Sequence, residues 1–232
     1  MTMGVPADFY RITNESLDSI VGGLSPALDD RILAICGSGD QALALLEYAG
    51  YVLAVDNNPA QIDYALKRIE LVRLGLFERF LHLPAIQRRS GLDSRYEYFS
   101  MPGRLSRIRE RLGRLDVRNC DLTGALTSEF TKVYLSNVPG YSPGEFFRDP
   151  FKSREETYPG IVSLFKRIAS ALPIGGLVYA ANGDDIDKVR SHCTTWPSEL
   201  KVDPFFSLEA LWGKALKGNS WRPVVYKKTL LS

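Results

Sequence analysis

Histidine and cysteine are scarce in this 232-residue chain, which has two histidines, His82 and His192, and three cysteines, Cys36, Cys120 and Cys193. The histidines lie far apart and no cysteine pair has ligand spacing, which argues against a zinc site or any other metal centre. Three unpaired cysteines give no disulfide framework, so a reducing, cytoplasmic compartment is expected. Cys36 and Cys120 each end an apolar run and read as small buried hydrophobes. No apolar run approaches the roughly 20 residues of a membrane span. The opening, MTMGVPADFYRITNESLD, carries charges in place of the apolar core of a secretory signal. An excess of one charge is missing too. The 29 basic and 27 acidic residues leave a formal +2, short of the basic face that a nucleic-acid partner requires. A soluble chain with no integral membrane segment and no nucleic-acid partner is expected; the oligomeric state is left open.

What is present is a core-forming composition, 45% hydrophobic and 24% charged, sized for one globular domain over 1–232. Residues 8–24 read as an N-terminal helix opened by Asn14 or Ser16 and closed by Gly22-Gly23. An apolar run at 31–36 reads as a buried strand, followed by the turn Gly37-Ser38-Gly39-Asp40 and a helix over 41–48. A second strand, 51–55, ends at Asp56, and Pro59 suits the first turn of a helix over 60–74. Residues 75–112, rich in Arg, Leu and aromatics, read as a helical insertion over one edge of the sheet. The run RLSRIRERL (104–112) reads as a solvated basic helix face.

The alternation resumes with strands at 115–120, ending at Asp121, and at 132–135, ending at Ser136-Asn137. A loop over 138–158 leads to a helix over 158–172 and a strand at 177–181. Helices near 184–193 and 207–217 and a closing strand at 223–230 complete the chain. Successive strand–helix units predict a doubly wound, mostly parallel Rossmann-like α/β sheet.

The chemistry-bearing pattern joins the first two strand ends. Gly37 and Gly39 allow close approach of backbone to a ligand, in front of a helix N-terminus with unpaired N–H groups. Nineteen residues after Gly37, the second strand ends in Asp56. An acidic residue there accepts hydrogen bonds from ribose hydroxyls in nucleotide-binding Rossmann folds. The pattern predicts an adenosine-containing ligand. Asp40 occupies the turn where a pyrophosphate would sit and would repel it. A ligand carrying an ammonium fits better, which favours S-adenosylmethionine over NAD and disfavours an NAD-dependent oxidoreductase.

GSGDQAL (37–43) and AVDNNPAQ (54–61) resemble the cofactor-binding half of S-adenosylmethionine-dependent transferases. Within that superfamily the sequence is most similar to the 3-amino-3-carboxypropyl transferases of betaine-lipid synthesis, through the glycine turn, the V-D-x-N-P-A-Q segment and VYLSNV (133–138). RNCDL (118–122) and LPIGGLVYAA (172–181) resemble the general methyltransferase pattern, although Ala34 stands where that pattern has an acidic residue. The resemblance implies that Gly37, Ser38 and Gly39 pack against adenosine and methionine portions, and that Asp56 holds the ribose. It further implies that Asn57 lies beside the adenine, that Asp121 meets the adenine amino group and that Leu122 offers a backbone N–H. Ser136 and Asn137 would face the sulfonium.

Asp40, Asp121 and Asn137 have an alternative reading as helix or turn caps. An acceptor pocket is expected from Pro139-Gly140-Tyr141 and Tyr10, with Tyr96 or Tyr98 from the insertion. Asn137 and Tyr141 are the expected catalytic pair. The function implied is transfer of a 3-amino-3-carboxypropyl group to a small-molecule or lipid acceptor. NVPGY (137–141) also resembles the N-P-P-Y signature of amino-group methyltransferases, which makes a small-molecule methyltransferase the alternative. A non-catalytic binding module on the same fold is the third reading.

Overall fold

Short β-rich runs separated by amphipathic helical stretches build one seven-stranded sheet, in the order β3-β2-β1-β4-β5-β7-β6. The computed structural model describes residues 13, 15–82, 94–137, 158–215 and 222–230. The strands are β1 (Arg31–Ile35), β2 (Tyr51–Asp56), β3 (Leu115–Asn119), β4 (Lys132–Tyr134), β5 (Leu177–Ala180), β6 (Leu200–Val202) and β7 (Val224–Lys228). The first five pair in parallel, while β7 runs antiparallel between β5 and β6. The doubly wound, mostly parallel expectation is met, and β6 is an added edge strand of three residues. Its sequence, LKV, is too short to produce a periodicity signal.

On one face lie α1 (Leu17–Leu24), α2 (Asp40–Leu46), α3 (Pro59–Arg73) and α10 (Pro204–Ala215), packed over Ile32, Ala34, Val52, Ala54 and Tyr179. The other face is covered by α7 (Leu122–Ala125), α8 (Tyr158–Ala171) and α9 (Gly183–His192), over Leu33, Leu53, Val133 and Val178. Alternate strand residues thus point to opposite, equally apolar layers, as a parallel sheet buried on both sides requires. Among the described residues, no helix is long and apolar enough to cross a membrane.

Two sequence readings change. Ser16 does cap α1, its hydroxyl accepting from the Ser19 N–H, but Gly22-Gly23 do not end the helix. A Cβ on Gly23 would lie 2.9 Å from both Ala210 and the Tyr179 ring, and one on Gly22 would lie 3.3 Å from the Glu209 carbonyl. The pair is therefore a close-contact surface for α10, and the helix ends at Ser25 in the left-handed conformation. Residues 8–12 and 14, the outer part of the expected helix, lie outside the described residues.

The second change concerns the insertion. It holds α4 (Phe77–Leu81), α5 (Ser94–Phe99) and α6 (Arg104–Glu110), but Arg95 and Arg104 turn inward. Arg95 is 1% exposed and is among the largest fully buried side chains. Arg104 and Arg107 both pair with Glu47, at 2.9 and 2.7 Å. Arg111 donates to the carbonyls of Leu46 and Ala49 at the C-terminal end of α2. Those carbonyls have no partner within the helix, and a cation there also meets the negative end of its dipole. The basic run is thus divided: Arg107 and Arg109 are exposed, as a solvated face would have them, while Arg104 and Arg111 dock against Glu47 and the end of α2.

Candidate functional site

The C-terminal ends of β1, β2 and β4 meet where the strand order reverses direction, the place where open α/β sheets form a ligand crevice. Its floor is the bend after β1. Gly37 and Gly39 both have positive φ, +48° and +83°, a region costly to side-chain-bearing residues. At Gly39 a Cβ would sit 3.3 Å from the Ala65 Cβ of α3. At Gly37 it would meet only the Gln41 side-chain amide, at 3.8–3.9 Å, so one side of this bend is open. The Gln61 side chain fixes it by donating from Nε2 to the Gly37 carbonyl at 2.7 Å.

Asp56 is joined to this bend. Its Oδ2 accepts from the Gly37 N–H at 3.2 Å and its Oδ1 from the Asn58 N–H at 3.0 Å. Burial pushes the carboxyl pKa up, and the two backbone donors pull against it. Each oxygen retains a lone pair, and the residue is only partly buried. Asn57, beside it, is exposed. Asn58 caps α3, its side chain accepting from the Ala60 N–H at 3.0 Å.

Asp40 departs from the sequence expectation. It is fully buried, and its carboxylate is occupied by protein donors. Arg68 reaches it at 2.6 Å and Arg95 at 2.9 Å, while the Ser38 hydroxyl and the Thr13 N–H donate to it at 2.6 and 3.2 Å. Burial alone would raise its pKa, but the two guanidinium groups outweigh it and hold the carboxyl at about 2. A carboxylate so paired is neither available to an ammonium nor a net repulsive charge for a pyrophosphate. Asp40 therefore gives no preference for an ammonium-bearing ligand over a pyrophosphate. Ser38 is likewise turned inward: its hydroxyl is spent on Asp40, and its carbonyl accepts from Arg68 at 2.8 Å.

At the tip of β3, Asp121 caps α7, accepting from the Thr123 N–H at 2.8 Å, and Leu122 is buried. At the tip of β4, Ser136 has a positive φ of 54°, a conformation rare outside glycine and found where surrounding contacts enforce it. Ser136 is held on two sides: its carbonyl accepts the Ala181 N–H at 2.8 Å, and its hydroxyl donates to Glu15, whose Oε1 also accepts from the Tyr134 hydroxyl at 2.8 Å. Asn137 stands next to it, its Oδ1 3.3 Å from the Ser136 Oγ.

Gly37, Gly39, Asp56, Ser136 and Asn137 thus gather at neighbouring strand tips. Asp121 lies farther along the same edge, and Asp40 and Ser38 sit beneath the bend. Tyr98 is not a pocket residue: it is 2% exposed and donates to Glu47 at 3.0 Å. Tyr96 is exposed on α5. Tyr10, Pro139, Gly140 and Tyr141 lie outside the described residues. Among the described residues, no cluster of ligating side chains could hold a metal ion.

Sequence reasoning passed over Glu15, Gln41, Gln61, Arg68 and Arg95. Gln61 was visible as the last residue of the N-P-A-Q segment. Arg95 carried a weaker signal, a cation among aromatics in RYEYF. Glu15 carried none, because its partners Tyr134 and Ser136 lie 119 and 121 residues away.

The chain has the Rossmann-like methyltransferase fold. It superposes on the tRNA (m1A58) methyltransferase TrmI from Aquifex aeolicus with a TM-score of 0.52 at 14% identity, covering 97% of this chain and 74% of that one. It superposes on the N-methyltransferase NodS from Bradyrhizobium japonicum WM9, in complex with S-adenosyl-L-homocysteine, with a TM-score of 0.51 at 10% identity, covering 96% and 93%. No protein-family model and no curated protein sequence matches the chain.

Proposed function

We propose that this chain is an S-adenosylmethionine-dependent transferase whose cofactor lies across the tips of β2, β1 and β4. The observation that carries this reading is the Asp56 carboxylate, pinned by the Gly37 and Asn58 N–H groups beside a left-handed glycine bend with open space on one side. Asp56 would accept from the two ribose hydroxyls through its remaining lone pairs. Gly37 and Gly39 would let the backbone pass close beneath the ligand. Asn57 and Asp121 would flank the adenine, with the Leu122 N–H as a further donor. NodS, which shares the fold, was solved with S-adenosyl-L-homocysteine, and that supports the choice of cofactor.

The bound sulfonium supplies an already activated leaving group. The protein's own part is to hold an acceptor in line and to accommodate one proton. Ser136 and Asn137, at the β4 tip, would meet the acceptor, with Tyr141 as a further contact. We assign the transferred group as 3-amino-3-carboxypropyl and the acceptor as a small molecule or lipid, on the strength of the V-D-N-N-P-A-Q and V-Y-L-S-N-V segments. The fold similarity to TrmI and NodS favours methyl transfer as the second reading. Mass analysis of the sulfur-containing product separates them: methylthioadenosine marks aminocarboxypropyl transfer, and S-adenosylhomocysteine marks methylation. Asp56→Ala should weaken binding of either cofactor product about a hundredfold, as two charge-assisted bonds are lost. A variant that bound as tightly as the wild type would refute the site.

A further inference from the structure

Glu15 is a buried carboxyl group, 3% exposed, with no cation paired to it among the described residues. Its Oε1 serves Tyr134 and Ser136, whereas its Oε2 has no hydrogen-bond partner among the described residues. Burial raises its pKa, and the bonds from Ser136 and Tyr134 only partly offset that. Leaving a carboxylate in this condition is costly, and buried charges are ordinarily paired. The segment carrying it is nevertheless held in place. Thr13 donates from its backbone to Asp40 and accepts the Gln41 amide at 3.0 Å through its hydroxyl, and the same hydroxyl accepts the Glu15 N–H at 3.1 Å. Gln41, also buried, has its own carbonyl oxygen unpartnered. Two buried acceptors with open valence therefore flank the crevice.

Neighbouring strands lie about 4.8 Å apart, so the tips of β2 and β4, with β1 between them, are separated by about 10 Å. Asp56 marks one end of that span and Glu15 the other. We propose that Glu15 pairs with the ammonium of the ligand's amino-acid end, with the Gln41 carbonyl as a second acceptor. An ammonium has three donors and needs several acceptors. The sequence assigned this role to Asp40, which Arg68 and Arg95 have already neutralised. The proposal rests on the adenosyl-ligand reading and deepens it, because the ammonium belongs to the arm that aminocarboxypropyl transfer moves.

Calorimetric titration of the full chain with two probes tests it. S-adenosylhomocysteine keeps the ammonium and lacks the sulfonium charge, whereas methylthioadenosine lacks the amino-acid arm. Glu15→Gln, which retains the acceptor for Tyr134 and Ser136, should weaken S-adenosylhomocysteine about tenfold or more, the worth of one charge-assisted hydrogen bond. It should leave methylthioadenosine within about twofold. Glu15→Asp, which keeps the charge on a shorter arm, should show an intermediate preference and reads the same ratio if the glutamine variant does not fold. An unchanged ratio between the two probes, whether both affinities hold or both fall, would overturn the role of Glu15. A wild-type chain that binds neither probe would overturn the adenosyl reading itself, and this proposal with it.

Discussion

The N-terminal end of α2 and the tip of β4 each bury a carboxyl group, and the two surroundings differ in kind. Around Asp40 there are two guanidinium groups, a hydroxyl and a backbone N–H, and the Arg68 and Arg95 side chains lie over the Phe80 ring at 4.9 and 4.6 Å. Around Glu15 there are two hydroxyls on one oxygen and, among the described residues, no hydrogen-bond partner on the other. The first arrangement is closed: it ties the insertion, α3 and the N-terminal segment to the glycine bend. The second leaves one buried carboxylate oxygen without a hydrogen-bond partner among the described residues. The satisfied buried charge serves the fold, while the unsatisfied one is where the proposal places the ligand's ammonium.

Removing Asp40 should give the largest effect on stability. Asp40→Ala leaves Arg68 and Arg95 buried without their counter-charge. Unfolding by denaturant should show a loss of about 3–5 kcal/mol, the usual cost of breaking a buried ion pair from one side. A loss below about 1 kcal/mol would mean that the two regions do not differ as described. Asp56→Ala should behave in the opposite way. Its folding free energy should stay within about 1 kcal/mol of wild type, and binding of S-adenosylhomocysteine should fall about a hundredfold, as two charge-assisted bonds are lost. Calorimetry and a denaturant curve on the same preparation read both.

The pH dependence sharpens the contrast, because the two groups shift in opposite directions. Asp40 is depressed in the folded protein, so its contribution is complete above the ordinary carboxylate value and is lost as pH falls towards about 2. Glu15 is raised, so the folded state holds its proton more tightly. That favours folding at low pH and turns into a penalty as pH rises from the ordinary value through the raised one. Glu15→Gln should therefore melt with the wild type at pH 4 and above it at pH 8 when no ligand is present. A melting difference that shrank with rising pH would contradict the assignment. The smallest effect is expected from Tyr98→Phe. Its hydroxyl bonds a Glu47 carboxylate that keeps Arg104 and Arg107, so about 1 kcal/mol should be lost.

Local patterns carried most of the architecture. Short strand-like runs located β1 to β5, three of them followed by glycine or aspartate, and Pro59 marked the start of α3 as its fixed φ and missing N–H would suggest. The Gly37–Asp56 pairing was also legible, since both residues lie within one βαβ unit. What escaped depended on contacts distant in sequence. Gly22-Gly23 read as a helix stop, because nothing local reveals that α10 packs against them. Arg104 and Arg111 read as solvated, because Glu47 and the α2 carbonyls lie about 60 residues away. Asp40 read as a ligand for a cation, because the cations that claim it come from α3 and α5. Charge in a sequence has a sign but no address, and the address decides whether it serves the fold or the ligand.

The most direct measurement is a crystal structure of the chain with S-adenosylhomocysteine. The predicted result has both ribose hydroxyls on the Asp56 carboxylate, the sulfur chain passing the Gly37–Gly39 bend, and the ammonium within hydrogen-bond reach of Glu15. Ligand bound away from this bend, with Asp56 making only its backbone contacts, would contradict the account.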